Sequence, residues 1–181
     1  MDTPYAEGLP RSGDRFVLRR LSGDDLREFQ AYRQDAELGR YQGWSPMSDE
    51  DAAAFLGEMS TIALFSPGNW TQLAIADPRT RCLIGDIGIF LDPHGRHAEI
   101  GFTLARHAQG RGLATAAVAE AIRLVFAATG VARIIGITDA RNTASIQLLE
   151  RVGMRKAKTT QAVFRAEPCV EFEYVVQRHE G

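Results

Sequence analysis

The 181 residues are 45% apolar and 24% charged, with a formal net charge of −2. This is the balance of a soluble globular chain, long enough for one domain with a substantial core. Positive charge comes almost wholly from arginine, Lys156 and Lys158 being the only lysines, and no basic run is interleaved with aromatics, so nucleic acid is not the expected partner.

Met1 to Asp14 is polar and carries Pro4 and Pro10; residues 1–13 read as a flexible arm, with the folded domain expected over 14–181. Arg15 to Leu21 reads as a first strand. Ser22-Gly23-Asp24-Asp25 then caps a helix running to about Arg33. Tyr41-Gln42-Gly43-Trp44-Ser45-Pro46 is a loop, and Ser48 caps a second helix with Asp51 as its acidic N3 partner. Three strands follow, Trp70 to Ala76, Cys82 to Leu91 and His97 to Leu104, joined by the turns Asp77-Pro78 and Asp92-Pro93-His94-Gly95.

A long helix spans roughly 110–128, with Ala114, Val118, Ala121, Ile122 and Val125 on one face and Glu120 and Arg123 on the other, and stops at Gly130. Val131 to Thr138 is a strand, Asn142 to Val152 a helix ended by Gly153, and two strands close the chain near Arg155–Phe164 and Cys169–Gln177. Helices falling between runs of strands imply an α/β (α+β) single domain. Its mixed, mostly antiparallel sheet has about seven strands, with helices on both faces. No uncharged run is long enough to span a membrane, and Cys82 and Cys169 form neither a C-x-x-C motif nor a disulfide framework. A cytoplasmic chain with reduced thiols and no membrane contact is expected. Oligomeric state stays open between monomer and homodimer.

The most informative stretch is Gln109-Gly110-Arg111-Gly112-Leu113-Ala114, set between a strand and the long helix and running on into Thr115. Its glycines can take φ > 0 and admit a ligand close to the backbone. The first N–H groups of a helix lack intrahelical partners, and the macrodipole adds positive potential there. Such a junction suits phosphate or pyrophosphate, although a plain strand-to-helix turn has the same pattern.

Three motifs in order resemble the Gcn5-related N-acetyltransferase (GNAT) superfamily. Gln109-x-x-Gly112-x-Ala114 is similar to its acyl-CoA signature. Asn142-x-x-Ser145 with Leu148-Leu149-Glu150-Arg151-Val152-Gly153-Met154 resembles its later N-x-x-S segment. Ala98-Glu99-Ile100-Gly101-Phe102 resembles the fourth strand of the branch that includes the ribosomal-protein alanine N-acetyltransferases. The resemblance covers about residues 13–178.

It implies acetyl-CoA as cosubstrate, with pyrophosphate on the N–H groups of 109–114, helped by Arg111 and by Arg106. The pantetheine arm would lie along the backbone of Phe102, Thr103 and Leu104. It further implies that Asn142 contacts pantetheine and that Ser145 sits near the sulfur. Read from the residues alone, Asn142 is equally well placed as a plain helix cap and Ser145 as its N3 partner. Seven residues after Asn142, where relatives often carry a proton-donating tyrosine, this chain has Leu149. Ser145 or a water then protonates the thiolate, or no protein acid is needed; Ser145 is the choice here.

Glu99 and Asp86 are the candidate bases. Glu99 shares strand parity with Gly101 and Thr103, though a solvated or ion-paired carboxylate would look the same. Asp86, inside an apolar strand, is either functional, at the acceptor, or paired. Tyr41 to Pro46, before a Ser-capped helix, sits where the resembled branch has its acceptor loop, and the resemblance implies that Tyr41 and Trp44 wall the acceptor pocket, unless Trp44 folds back onto the core. His94-x-x-His97 with Asp92 and Glu99 lacks the architecture of an open metal site, so no metal is expected. The expected reaction is transfer of acetyl from acetyl-CoA to a primary amine, a protein N-terminus first and a small molecule second. A non-catalytic acyl-CoA-binding module is the alternative. A dinucleotide-dependent oxidoreductase would need a third glycine and a βαβ unit.

Overall fold

The computed structural model describes residues 8–179. In chain order the elements are β1 Arg11–Ser12, β2 Val17–Arg20, α1 Leu26–Arg33, α2 Asp49–Thr61, β3 Trp70–Ala76, β4 Leu83–Leu91, β5 His97–Leu104, α3 Leu113–Ala128, β6 Arg133–Asp139, α4 Thr143–Arg151, β7 Arg155–Phe164 and β8 Glu167–Gln177. The sheet has eight strands in the order β1-β2-β3-β4-β5-β6-β8-β7, against about seven expected. The addition is β1, which pairs with Val17 and Leu18. Residues 1–7 of the expected arm lie outside the described residues. Arg11, near its end, is tethered to Glu120 by an ion pair of 2.9 Å.

Strand alternation buries both faces of the sheet. Leu73 and Ile75 of β3 belong to the core cluster shared with α3 and α4, while Ala74 between them packs with Phe29, Tyr32 and Leu56 of α1 and α2. β4, central and covered on both sides, is buried from Leu83 to Ile89. The expected cap at Ser22 closes the 3-10 turn Gly23–Asp25 that leads into α1, as a capping box: Ser22 N–H donates to Asp25 Oδ2 (2.9 Å) and Ser22 Oγ accepts from Asp24 N–H (3.2 Å). Ser48 Oγ accepts from Asp51 N–H at 3.1 Å and opens α2 in the same manner.

One pairing in the sheet is parallel, and it is short. β5 and β6 are joined only at His97–Arg133, Ala98–Ile134 and Glu99–Ile135, although β5 runs on to Leu104 and β6 to Asp139. Beyond Glu99 the two strands diverge. Just past the last pair, Gly136 leaves room for Leu149 of α4: a Cβ on Gly136 would lie 2.8 Å from Leu149 Cδ2. The opening puts the ends of β5 and β6, the N-terminus of α4 and the turn before α3 around one space.

Candidate active site

A cleft of about 580 Å³ runs along this opening. Its walls include Phe102, Thr103 and Leu104 of β5, Gln109, Gly110, Gly112, Leu113, Ala114 and Thr115 of the turn and α3, and Asn142 and Ser145 of α4. Gly110 and Gly112 are both left-handed, with φ of 78° and 70°. That backbone ends the turn at Gly112, so α3 begins at Leu113 rather than at the expected 110. Ala116 N–H is the first to find an intrahelical acceptor, Gly112 O at 3.1 Å. The N–H groups of residues 113–115 therefore have no partner within the helix and lie in the cleft wall.

Arg111 is not in that wall. It is exposed, donates to His107 O at 3.3 Å, and its carbonyl accepts from Arg15 Nη1 at 2.9 Å. Arg106, also expected to add charge at the phosphate, is engaged by Asp35, with Nη2 2.8 Å from Oδ1. The exposed cation in the cleft wall is Arg151, at the end of α4, a residue sequence reasoning quoted but gave no role. Leu38, Ala144 and Leu148 line the cleft as well. Leu148 lies three residues after Ser145 on α4, so the helical repeat was a usable signal; Leu38 comes from a turn after α1 and offered none.

Asn142 is the N-cap of α4: its Oδ1 accepts from Ser145 N–H at 3.2 Å. Both residues also line a narrow passage of about 40 Å³ with Tyr41, Gln42, Phe102, Gly136, Thr138 and Leu149. The capping role and a place in the cleft coexist. Leu149, where a proton donor was sought, is 1% exposed and belongs to the core.

On the far side of the passage is a pocket of about 240 Å³, lined by Tyr41, Gly43, Glu99, Ile137, Thr138, Asp139, Phe164 and Glu171. Tyr41 lines the cleft, the passage and this pocket, and so marks the line along which they meet. Glu99 is half-buried, and its carboxyl is raised above its ordinary value by burial first and then by Glu171 and Glu173. Asp139 is held below the usual carboxylate range by its hydrogen bonds to Arg141. Glu171 and Glu173 alternate along β8, but only the register Asp139–Glu171 and Ile137–Glu173 brings them to Glu99, and that pairing is not visible in sequence.

Two expected acceptor residues are elsewhere. Trp44 lines neither the passage nor the pocket; its ring lies 4.6 Å from the Arg33 guanidinium carbon, and Nε1 donates to Thr103 Oγ1 at 3.1 Å. A half-buried indole finds both a cation and an acceptor there, which the solvent side of the loop does not offer. Asp86 is 2% exposed and paired, accepting from Tyr32 Oη and from Arg33 Nη2, the latter at 2.8 Å. Buried in β4, it reaches Arg33 and Tyr32 of α1 rather than the pocket, the paired alternative. Asp92 binds the N–H groups of its own turn and pairs with Arg96; among the described residues no three His, Cys, Asp or Glu side chains gather as metal ligands. Nor is any helix among them long and apolar enough to cross a membrane.

An acetyltransferase (GNAT) domain family matches residues 15–155. Two curated relatives are uncharacterized N-acetyltransferases. One, p20 of Bacillus licheniformis, is 29% identical over 86% of this chain and 84% of its own. The other, YoaA of Bacillus subtilis (strain 168), is 30% identical over 79% and 81%. Among solved structures, a GNAT-family acetyltransferase from Bacillus anthracis superposes with a TM-score of 0.82 at 19% identity, covering 93% of this chain and 98% of that one. RimL, a ribosomal L7/L12 alpha-N-protein acetyltransferase in complex with coenzyme A, gives 0.80 at 16% identity over 92% and 96%. A spermidine N-acetyltransferase from Vibrio cholerae, in complex with CoA and spermine, gives 0.77 at 18% over 91% and 96%. The chain belongs to the GNAT family and is an acetyl-CoA-dependent N-acetyltransferase. That membership sets aside the oxidoreductase reading.

Proposed function

We propose that this acetyltransferase moves the acetyl group of acetyl-CoA to a primary amine by direct attack, with acetyl-CoA in the cleft and the amine in the pocket beside Glu99. The observation that carries this reading is the early end of the β5–β6 pairing, with Tyr41 common to the cavities on both sides of the passage. The unpartnered N–H groups of residues 113–115 beside two left-handed glycines suit a pyrophosphate. Past the last β5–β6 pair the carbonyls of Phe102 and Leu104 accept from the side-chain amides of Gln42 (3.2 Å) and Gln109 (2.9 Å) rather than from β6, and an extended arm along β5 would share or displace these two amides. Acetyl-CoA supplies the activated acyl group as a thioester.

In the transfer the amine nitrogen bonds the acetyl carbon and the carbon–sulfur bond breaks. The proton lost by the amine goes to Glu99 through water, and the thiolate takes one from Ser145, which regains its own from solvent water. A backbone N–H on β5 would face the thioester oxygen, where charge grows. Ser145 and Asn142, at the junction of cleft and passage, orient the thioester, and Ser145 serves the leaving sulfur. Neither Cys82 nor Cys169 lines the cleft, the passage or the pocket, and burial raises the Cys169 thiol, which supports attack without an acyl-enzyme.

A protein N-terminal amine is the first acceptor to test, on the branch resemblance in β5. A small-molecule amine is second, favoured by the pocket's modest volume and by Glu99 and Glu171 in its lining, which suit an ammonium. CoA release from a panel of N-terminal peptides and small primary amines separates the two. Acetyl-CoA binding with no CoA release for any of these amines would overturn the choice of a primary amine as acceptor.

A further inference from the structure

The turn from β7 to β8 is Arg165-Ala166, and both residues are left-handed, with φ of 52° and 64°. Two-residue hairpin loops need this handedness, but Asn-Gly or Gly-Gly supplies it with less strain. A left-handed conformation strains any residue that carries a Cβ. An arginine here is set against that strain by what its side chain does. Arg165 Nη2 donates to Trp44 O at 2.8 Å and to Gln42 O at 3.1 Å, the carbonyls on either side of Gly43. Gly43 lines the acceptor pocket from the loop and Phe164 lines it from the hairpin. One guanidinium thus ties the hairpin tip to the loop across the pocket.

On its other side the loop is fixed to β5, by Gln42 Nε2 to Phe102 O (3.2 Å) and Trp44 Nε1 to Thr103 Oγ1 (3.1 Å). Without Arg165 the loop would be held only from the side away from the hairpin, by these two bonds, by the Trp44 ring on Arg33 and by Gln42 N–H to Gly39 O (3.0 Å). We propose that Arg165 is a specificity-determining residue: it sets the separation between the acceptor loop and the hairpin tip, and thereby the bulk of the amine that the pocket admits. A slender primary amine fits between them. An amine branched beside its nitrogen needs the tip and loop to part, with loss of both hydrogen bonds. The inference rests on the acceptor reading of this pocket.

The test compares Arg165→Gly, Arg165→Lys and Ala166→Gly. Glycine suits the left-handed turn, so Arg165→Gly removes the tie without endangering the hairpin. Affinities for a straight-chain and an α-branched primary amine are measured by calorimetry in the presence of CoA, alongside CoA release. Trp44 quenching by acrylamide is followed in a Trp70→Phe background, where it is the sole tryptophan. Loss of Arg165 weakens the straight-chain amine about tenfold, on the scale of charge-assisted hydrogen bonds, and narrows its advantage over the branched one. Acetyl-CoA affinity stays unchanged, and Trp44 becomes easier to quench. Lysine, a single cationic nitrogen like the one now serving both carbonyls, restores part of the preference; Ala166→Gly behaves as wild type. Unchanged quenching in Arg165→Gly overturns the tie, and freer quenching with an unaltered ranking of amines overturns its role in selection. Wild-type amine affinity without CoA release would instead sink the transfer reading and leave the selection intact.

Discussion

Arg33 and Asp86 meet at 2.8 Å with each residue only 2% exposed. The guanidinium carbon also lies 4.8 Å from the Phe29 ring centroid and 4.6 Å from that of Trp44, so one buried cation joins β4, α1 and the acceptor loop. Arg33 Nε has no hydrogen-bond partner among the described residues, which leaves Asp86 as the main compensation for a desolvated charge. Removing one member of such a pair strands the other.

Asp86→Ala is therefore expected to cost about 3–5 kcal/mol, roughly 10 °C in Tm for a chain of this size. The double variant Arg33→Met/Asp86→Leu should lose far less than the two single changes added together. Thermal unfolding by circular dichroism checks both. A loss under about 1 kcal/mol for Asp86→Ala would mean the pair is not what holds α1 to β4.

Gly112 tests the cofactor turn. No atom lies within 4 Å of where its Cβ would sit, so a substitution is penalised through φ of 70° and not through a clash. Gly112→Val should weaken acetyl-CoA binding markedly, and Gly112→Asn, which tolerates left-handed backbone, should weaken it much less. Equal acetyl-CoA affinity in wild type and Gly112→Val, read by calorimetry, would remove this turn from the binding site.

Local signals carried most of the fold. Ser22 and Ser48 opened helices where their capping chemistry predicts, the turns at Asp77-Pro78 and Asp92–Gly95 bounded the strands from Trp70 to Leu104, and alternation marked the last of them. β1 was missed because two residues are too short for a periodic signal. In the site, the turn glycines were legible because φ > 0 is a local demand. The partners of Trp44, Asp86 and Arg106 were not, since Arg33, Tyr32 and Asp35 come from α1 and the turn after it, joined to them only by packing. Asp86 shows the limit well: a carboxylate in an apolar strand announces that it has a partner, but not which.

Leu149 and Ser145 separate packing from chemistry on α4. If the hydroxyl serves the reacting sulfur as proposed, with binding resting on the turn and β5, Ser145→Ala should lower kcat more than it raises the KM for acetyl-CoA. Leu149→Tyr would not supply the missing acid. Leu149 is packed against Gly136, and the larger ring should cost about 1–3 kcal/mol through overpacking, lowering Tm without a gain in kcat. A faster Leu149→Tyr enzyme would show that the passage, and not the core, owns this position.

On the proposed role of Glu99 the pH dependence has two consequences of opposite sign. Its carboxyl is raised above the ordinary value, so the folded chain binds the proton more tightly than the unfolded one. Its stability contribution is fully present below the unfolded value and is lost as pH rises through the folded one. Glu99→Gln removes that loss and should raise Tm at neutral pH relative to wild type. Catalysis runs the other way, since a base works only when ionised: kcat/KM climbs through the raised value, and Glu99→Gln flattens that limb. The amine titrates too, with an α-amine near ~7.8, so the limb belonging to the enzyme is the one that stays in place when acceptors of different basicity are compared. Glu171 contributes to the upward shift, so Glu171→Gln should move this same limb to lower pH without abolishing it. A limb that ignores both substitutions would assign the proton transfer to water alone and leave Glu99 as a wall of the pocket.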